Sequence, residues 1–410
     1  MDDDIAGNPE AELEPDAFEQ LIIDFHVHHQ RLVMLLSIVL TQILTCLAAL
    51  FSKPPCIPHH TSILTGKAWV LELMNGHPDH IKINFGVSLD TFSALVQVLE
   101  QNQIKESWNG VSVEEQLGIF LYTCITGLSS HLVGERFQWS NDTITKYFKH
   151  ILIFFLSSPF YDTQVCFPTD RTPIAQAILG SPHFKYFDKC IGAIDGTHIR
   201  VFSSTADHMF MCNRKGFLSQ NCLFACNFDF FFVYSLCGWD GSVADGVLWQ
   251  DALANDIQAP LNKYLLGDAG FPSYDGLLVP YRGVCYHLRE WREGASGPGN
   301  EWELYNLCHS ALRNIIERIF GVLKCQWRIL DHPPEYDMGI QARVPAALCA
   351  LHNFIQHFDA DTFNDPEFDW DYVRFNENEG LPLDAEDVEE VVLQERDETG
   401  RAGERRDMIA

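Results

Sequence analysis

The hydrophobic spacing of this chain changes once, near residue 190, and that change restricts the architectures open to it. From residue 61 to about 156, apolar positions recur every three or four residues. They fall in segments near 66–75, 89–102, 111–127, 130–137 and 141–156, separated by Asn, Gly and Ser. That period belongs to amphipathic helices. From residue 190 short apolar runs take over: CIGAIDGTHIRVF, QNCLFACNFD, FFFVYSLCGW and, after a helical stretch at 246–254, KYLLGDAG. Runs of this length, rich in β-branched and aromatic residues and closed by Gly, Asn or Asp, read as strands. A helix over about 303–325 follows, with Leu304, Leu307, Ala311, Ile315, Ile319 and Leu323 on one face. The order β-β-β-α-β-α predicts an α/β domain over 185–357, a mixed sheet flanked by helices, preceded by an all-α domain over 61–160. The segment 271–301 reads as irregular.

The chain's 410 residues suffice for several folding units, and its formal charge of −28 argues at first against a nucleic-acid ligand. The distribution of that charge weakens the objection. Residues 1–24 hold nine acidic and no basic side chains, and residues 359–410 hold 18 acidic and five basic ones. The body between them is close to balance. The ends read as acidic disordered tails, 1–30 and 358–410. Thirteen cysteines without a CxxC pair or a secretory leader fit a reducing compartment, and Cys222 and Cys226 read as small buried hydrophobes.

Two N-terminal features stay open. Residues 32–51 form 20 consecutive positions without a charge, within an apolar helix and linker spanning 31–60. That length spans a bilayer, although Ser37, Thr41, Gln42 and Thr45 dilute it, so a buried or partner-facing helix competes with a membrane anchor. Asp24, His26 and His28 imitate the first metal motif of an amidohydrolase barrel, but no alternating eightfold β/α pattern follows to deliver the remaining ligands. Within the all-α region, a short helix at 130–137, a break at Gln138–Ser140 and a helix capped by Ser140 have helix-turn-helix spacing. Arg136, Lys146, Lys149 and His150 are there to meet phosphates or bases, and two packed helices without a DNA role fit equally well.

Three acids sit where burial makes them expensive. Asp195 interrupts an apolar strand, Asp268 ends another, and Glu317 lies within the amphipathic helix. Each has an ordinary explanation: a turn at Asp195-Gly196, a strand-end cap, and an i−4 partner in Arg313. Two aspartates at the ends of neighbouring strands and a glutamate from a helix laid across them would instead supply three oxygen donors to a hard cation such as Mg²⁺ or Mn²⁺. Such ions support phosphodiester cleavage.

At this point the sequence resembles the PIF/Harbinger group of DDE transposases and the nucleases derived from them. The resemblance covers about residues 60–357. It rests on CIGAIDGTHIRV (190–201), RKGFLSQN (214–221), GWDGSVADG (238–246), YLLGDAGFPSYDGLLVPYRG (264–283), NLCHSALRNIIERIFGVLKCQWRIL (306–330) and LHNFI (351–355). It implies an RNase H-like catalytic core, a triad of Asp195, Asp268 and Glu317, and Asp245 as a further acid that ligates metal or supports a ligand. His198 is a candidate to position a phosphate or water. Arg200, Arg214, Lys215, Arg282, Arg313, Arg318, Lys324 and Arg328 lie in or beside the matched motifs as candidate DNA contacts. The expected function is a metal-dependent DNA endonuclease in the nucleus, and a domesticated derivative that binds without cutting is the alternative. DNA, a Myb-like protein and a second copy of the chain are the expected partners. The sequence departs from the family pattern at Phe271, at the aromatic run FFFVYSL and at Asn227, none of which touches the triad.

Overall fold

The computed structural model describes residues 15–51, 57–203, 211–257, 262–284, 298–333, 335–359 and 396–409. By internal contacts the chain divides into two units, residues 1–61 and 62–410.

The first unit is one helix, Pro15–Phe51. It starts well before the apolar stretch expected to begin at 31, so residues 15–30 are helical and not a disordered tail. Leu21, Ile22, Ile23, Phe25 and Val27 extend the apolar pattern backwards through it. The helix is exposed along its length. Asp24, His26 and His28 lie on this helix and not at the end of a strand, which removes the barrel reading. Residues 1–14 lie outside the described residues.

In the second unit, the helical region comprises Gly66–Asn75, Pro78–Phe85, Leu89–Gln101, Val113–Thr126, Ser130–Phe137, Asn141–Phe155 and Phe160–Gln164. Thr65, Ser88, Ser112 and Ser140 cap four of these helices, each side chain accepting a first-turn N–H. Such caps explain why the predicted starts fall close to the observed ones. Val113–Thr126 is the central helix, buried on nearly all sides. Its one buried acid, Glu115, accepts a hydrogen bond from Trp139 Nε1 at 2.8 Å.

The sheet has five strands: β1 (Cys190–Arg200), β2 (Ser219–Cys226), β3 (Phe232–Asp240), β4 (Tyr264–Leu266) and β5 (Leu277–Leu278), in the order β3-β2-β1-β4-β5. β1, β2 and β3 form an antiparallel meander, and β4 and β5 run parallel to β1. The mixed sheet flanked by helices is consistent with a DDE or RNase H-like domain. β5 falls in the segment read as irregular, because two residues are too few to show a period; residues 285–297 of that segment lie outside the described residues.

Alternation along the strands builds two cores. Ala193, Cys222, Phe224, Cys226, Tyr264, Leu266 and Leu278 face the long helix Glu301–Gln326 and the helix Val344–Phe358. Ile194, Leu223, Ala225, Leu265 and Leu277 face the helix Asp245–Asn255 through Leu248, Trp249 and Ala252. The first core continues into the helical region. Phe148 stacks on Tyr336 with ring centroids 4.8 Å apart, and Phe160 meets Phe354 at 5.7 Å. The two domains expected at 61–160 and 185–357 therefore share one hydrophobic core.

The acidic C-terminal stretch is not wholly a tail either. Residues 360–395 lie outside the described residues, but Arg396–Ile409 is a helix docked beside β5. Ala402 is fully buried, Arg405 Nη2 lies 3.1 Å from Asp275 Oδ1, and Tyr281 OH donates to Asp407 Oδ1 at 2.6 Å. Arg405 and Arg406 give this segment specific partners, Asp275 and the Tyr281 ring, despite the acidity of the stretch before it.

Candidate active site

The site follows from strand register. β1 and β4 pair with Ala193 opposite Leu266. Two residues beyond that pair lie Asp195, still within β1, and Asp268, just past the end of β4, near enough for its charge to act on Asp195. Both share the parity of Ala193 and Leu266, so both face the 301–326 helix. That helix is anchored by His309, whose Nε2 lies 3.1 Å from the Leu278 carbonyl oxygen. One turn on is Arg313, and one turn beyond that is Glu317.

Arg313 joins the two acids. Its Nη2 lies 2.8 Å from Asp195 Oδ2 and its Nη1 2.5 Å from Glu317 Oε1. The Arg313 side chain is 9% exposed and that of Asp195 14%, whereas Glu317 is half open to solvent. The ordinary partner relation read from the sequence is present, and it lies inside the acidic cluster.

Asp268 is fixed from its own loop, with Gly270 N–H donating to its Oδ1 at 2.9 Å. Arg282 closes the same loop by donating to the Ala269 carbonyl at 2.9 Å. Asn306 holds the loop's far end to the helix, accepting from Tyr281 N–H at 2.8 Å.

Asp245 reaches the cluster from the other side of the sheet, at the first residue of its helix. Asn221 Nδ2 donates to Asp245 Oδ1 at 2.6 Å and to the Val243 carbonyl at 2.9 Å. A Cβ on Gly196 would stand 2.1 Å from Asp245 Oδ1, so glycine at this strand position makes room for the carboxylate. Sequence reasoning passed over Asn221, although it ends the RKGFLSQN motif. The available signal was three polar residues, Ser219, Gln220 and Asn221, opening a strand that is buried throughout.

The electrostatics place all four acids in one field. Burial pushes the Asp195 carboxyl up to about 7; Arg313 opposes this, and the charges of Asp268, Asp245 and Glu317 add to it. Asp245 is raised for the same first reason, with the Asn221 hydrogen bond opposing and Asp268 adding. His198 is lowered by burial and by the cations Lys324, Lys215 and Arg214, against the pull of Asp245. Its Nδ1 lies 3.3 Å from Ser219 Oγ, and Lys324 Nζ donates to Thr197 Oγ1 at 2.8 Å. Asp195, Asp268, Glu317, Asp245, His198, Arg313, Arg214, Lys215 and Lys324 thus come together.

Other candidate DNA contacts lie elsewhere. Arg136 sits with its guanidinium 3.8 Å above the Trp69 ring, which makes it part of the helical core's edge and not an open phosphate contact. Lys149 Nζ pairs with Asp337 Oδ2 at 3.3 Å. Lys146 is exposed, 5.2 Å from the Tyr147 ring centroid. Arg200 and Arg318 each lie 4.8 Å over an aromatic ring, of Phe217 and Phe230 respectively.

Comparison with known proteins agrees with this geometry. Residues 194–353 match a family described as DDE superfamily endonuclease, and residues 61–157 match a domain of unknown function, DUF8040. The protein named "Putative nuclease HARBI1" from Rattus norvegicus is 30% identical over 182 residues, covering 43% of this chain and 48% of that protein. Its Homo sapiens counterpart is 29% identical over the same length. "Protein ALP1-like" of Arabidopsis thaliana is 23% identical over 311 residues, covering 68% of this chain and 71% of that protein. The chain spans about half the length of the HARBI1 relatives it matches. No solved structure matches it. The aspartates at the strand ends and the glutamate on the facing helix all fall within the matched segment, and the chain carries a DDE superfamily endonuclease domain and is homologous to the proteins named HARBI1 and ALP1-like.

Proposed function

We propose that this chain is a divalent-metal-dependent DNA endonuclease of the Harbinger transposase type. The observation that carries the reading is the ion-pair network in which Arg313 holds Asp195 at 2.8 Å and Glu317 at 2.5 Å, with Asp268 and Asp245 close enough for their charges to act on Asp195. A donor set made of carboxylate oxygens suits a hard cation, Mg²⁺ or Mn²⁺, better than an ion that prefers thiolate or imidazole. Asp195, Asp268 and Glu317 would hold it, with Asp245 as the fourth carboxylate. Bound there, such ions supply activation of a water or 3′-hydroxyl for in-line attack on the phosphodiester and stabilise the departing oxygen.

The chain's own residues prepare the site. Asn221 and the space at Gly196 set the direction of Asp245. Arg313 holds Asp195 and Glu317 toward a common point and limits their repulsion. Arg214, Lys215 and Lys324, gathered near His198, offset backbone phosphate charge despite the acidity of the whole chain. The helices 130–137 and 141–155 serve in this reading as a helix-turn-helix, presenting Lys146 and His150 from the exposed face of the second. The family resemblance supports a nuclear site of action and, as partners, a Myb-like protein and a second copy of the chain.

A binding-only derivative is the second reading. It is favoured by Arg313, which already neutralises two of the acids. Nicking of supercoiled DNA in Mg²⁺ or Mn²⁺, compared between wild type and Asp195→Asn, separates the two. Cleavage that needs the ion and falls by about a thousandfold in the variant supports the nuclease. DNA binding with no cutting by either protein, unaffected by the ion, supports the derivative.

A further inference from the structure

We infer that residues 32–51 cross a lipid bilayer and tether the endonuclease domain to its reducing face. At about 1.5 Å per residue, the 20 uncharged positions span about 30 Å, the thickness of a bilayer's hydrocarbon core. The structure adds what composition alone leaves open. The 18-residue window that is apolar enough to span is 0% buried. Nor is its apolar surface confined to one stripe. Leu32, Val33, Met34 and Leu35 are successive residues about 100° apart, and each is more than half exposed. A helix apolar on every side suits a medium that is apolar on every side. A coiled-coil seam covers only every third or fourth residue and would leave the remaining faces in water.

The hydroxyl residues of the run do not contradict this. Ser37 Oγ donates to the Met34 carbonyl at 2.7 Å, Thr41 Oγ1 to Ser37 at 2.7 Å, and Thr45 Oγ1 to Thr41 at 2.9 Å. These hydroxyls spend their hydrogens on the helix's own backbone, as a bilayer interior requires.

Charge and thiol chemistry set the direction. Residues 1–30 contain no Lys or Arg and Arg31 alone adjoins the start of the span, whereas Lys53 and Lys67 follow it. Basic residues stay on the cytoplasmic side. Cys166, Cys212 and Cys325 of the larger unit are exposed free thiols, which suits a reducing compartment. The acidic segment therefore lies across the membrane from the endonuclease domain. This inference does not depend on the nuclease reading.

The test expresses the full chain with a C-terminal tag, treats cell membranes with alkaline carbonate, and floats them on a sucrose gradient. The chain is expected to float, and Leu36→Arg combined with Leu40→Arg should lower the floating fraction by about tenfold or more. An Asn-X-Ser acceptor introduced within residues 2–10 should be glycosylated, and one placed after Ala410 should not. Release into the carbonate supernatant overturns the proposal, whether as a monomer or as an oligomer dissolved by the two arginines, the latter meaning that a second copy covers the helix. Material that pellets without floating is aggregated and also contradicts it. Glycosylation at the C-terminal acceptor overturns the orientation. Asp195→Asn should float like wild type, so that failure here and failure of the nuclease assignment remain distinguishable.

Discussion

Arg313 lies 2.8 Å from Asp195, and both side chains are almost wholly removed from solvent. Breaking such a pair from one side leaves an uncompensated buried charge. Arg313→Met is expected to destabilise the fold by about 3 kcal/mol. Adding Asp195→Asn should restore part of the loss, because the amide no longer needs a cation. Urea unfolding of both single variants and the double variant measures this, and strictly additive losses would contradict the coupling.

The contact between Gly196 and Asp245 predicts a loss of activity larger than the loss of stability. A Cβ at 2.1 Å from Oδ1 forces the carboxylate to move. Gly196→Ala should lower DNA cleavage by about a hundredfold, as expected for a misplacement of about 1 Å. Unchanged cleavage would mean that the direction of Asp245 is immaterial.

Asn221 supports the same carboxylate from below. Asn221→Asp replaces a donor 2.6 Å from Asp245 Oδ1 with another acid. The variant should lose cleavage at neutral pH and recover part of it as Asn221→Ser, which keeps a donor. Comparing initial rates of the two variants decides the point.

The pH dependence of stability has two opposed parts. Burial lowers His309 to about 3 and His352 to about 4, below the ordinary 6.5, so the unfolded chain binds the extra protons. Their contribution is complete above about 6.5 and is lost as pH falls toward 4 and 3. Asp195 works the other way. Its folded value of about 7 lies above the ordinary 3.8, so the folded state holds the proton and stability falls as pH rises from about 4 to 7. In chelator-treated protein, Asp195→Asn should therefore become progressively more stable relative to wild type across that window. A constant difference in unfolding free energy would contradict the shift.

How much of this was legible in the sequence depends on whether a signal was local. Asp195 and Asp268 stood out because an acid interrupts or ends an apolar run, and Glu317 because it shares a helix face with Arg313. Helix starts were legible from their Ser and Thr caps. The meeting of Asp195 with Asp268 was not, since it depends on the β1–β4 register, a long-range pairing that no local pattern records. For the same reason Asn221 beneath Asp245 and the core shared through Phe148 and Tyr336 remained hidden. Arg136 illustrates the converse, for its charge suggested phosphate while its neighbour in space is Trp69. The helix 396–409 was obscured by composition, because an acidic average masked two arginines with specific partners, Arg405 and Arg406.

The central claim is that four separated carboxylates form one cation site, and Mn²⁺ binding tests it without reference to turnover. Free Mn²⁺ is followed by its paramagnetic resonance signal during titration of the full chain at about pH 8, above the Asp195 value of about 7, where that carboxyl is ionised. Wild type should bind the ion, and Asp195→Asn and Asp268→Asn should each bind it about tenfold or more weakly. Equal binding by all three proteins would contradict the shared site.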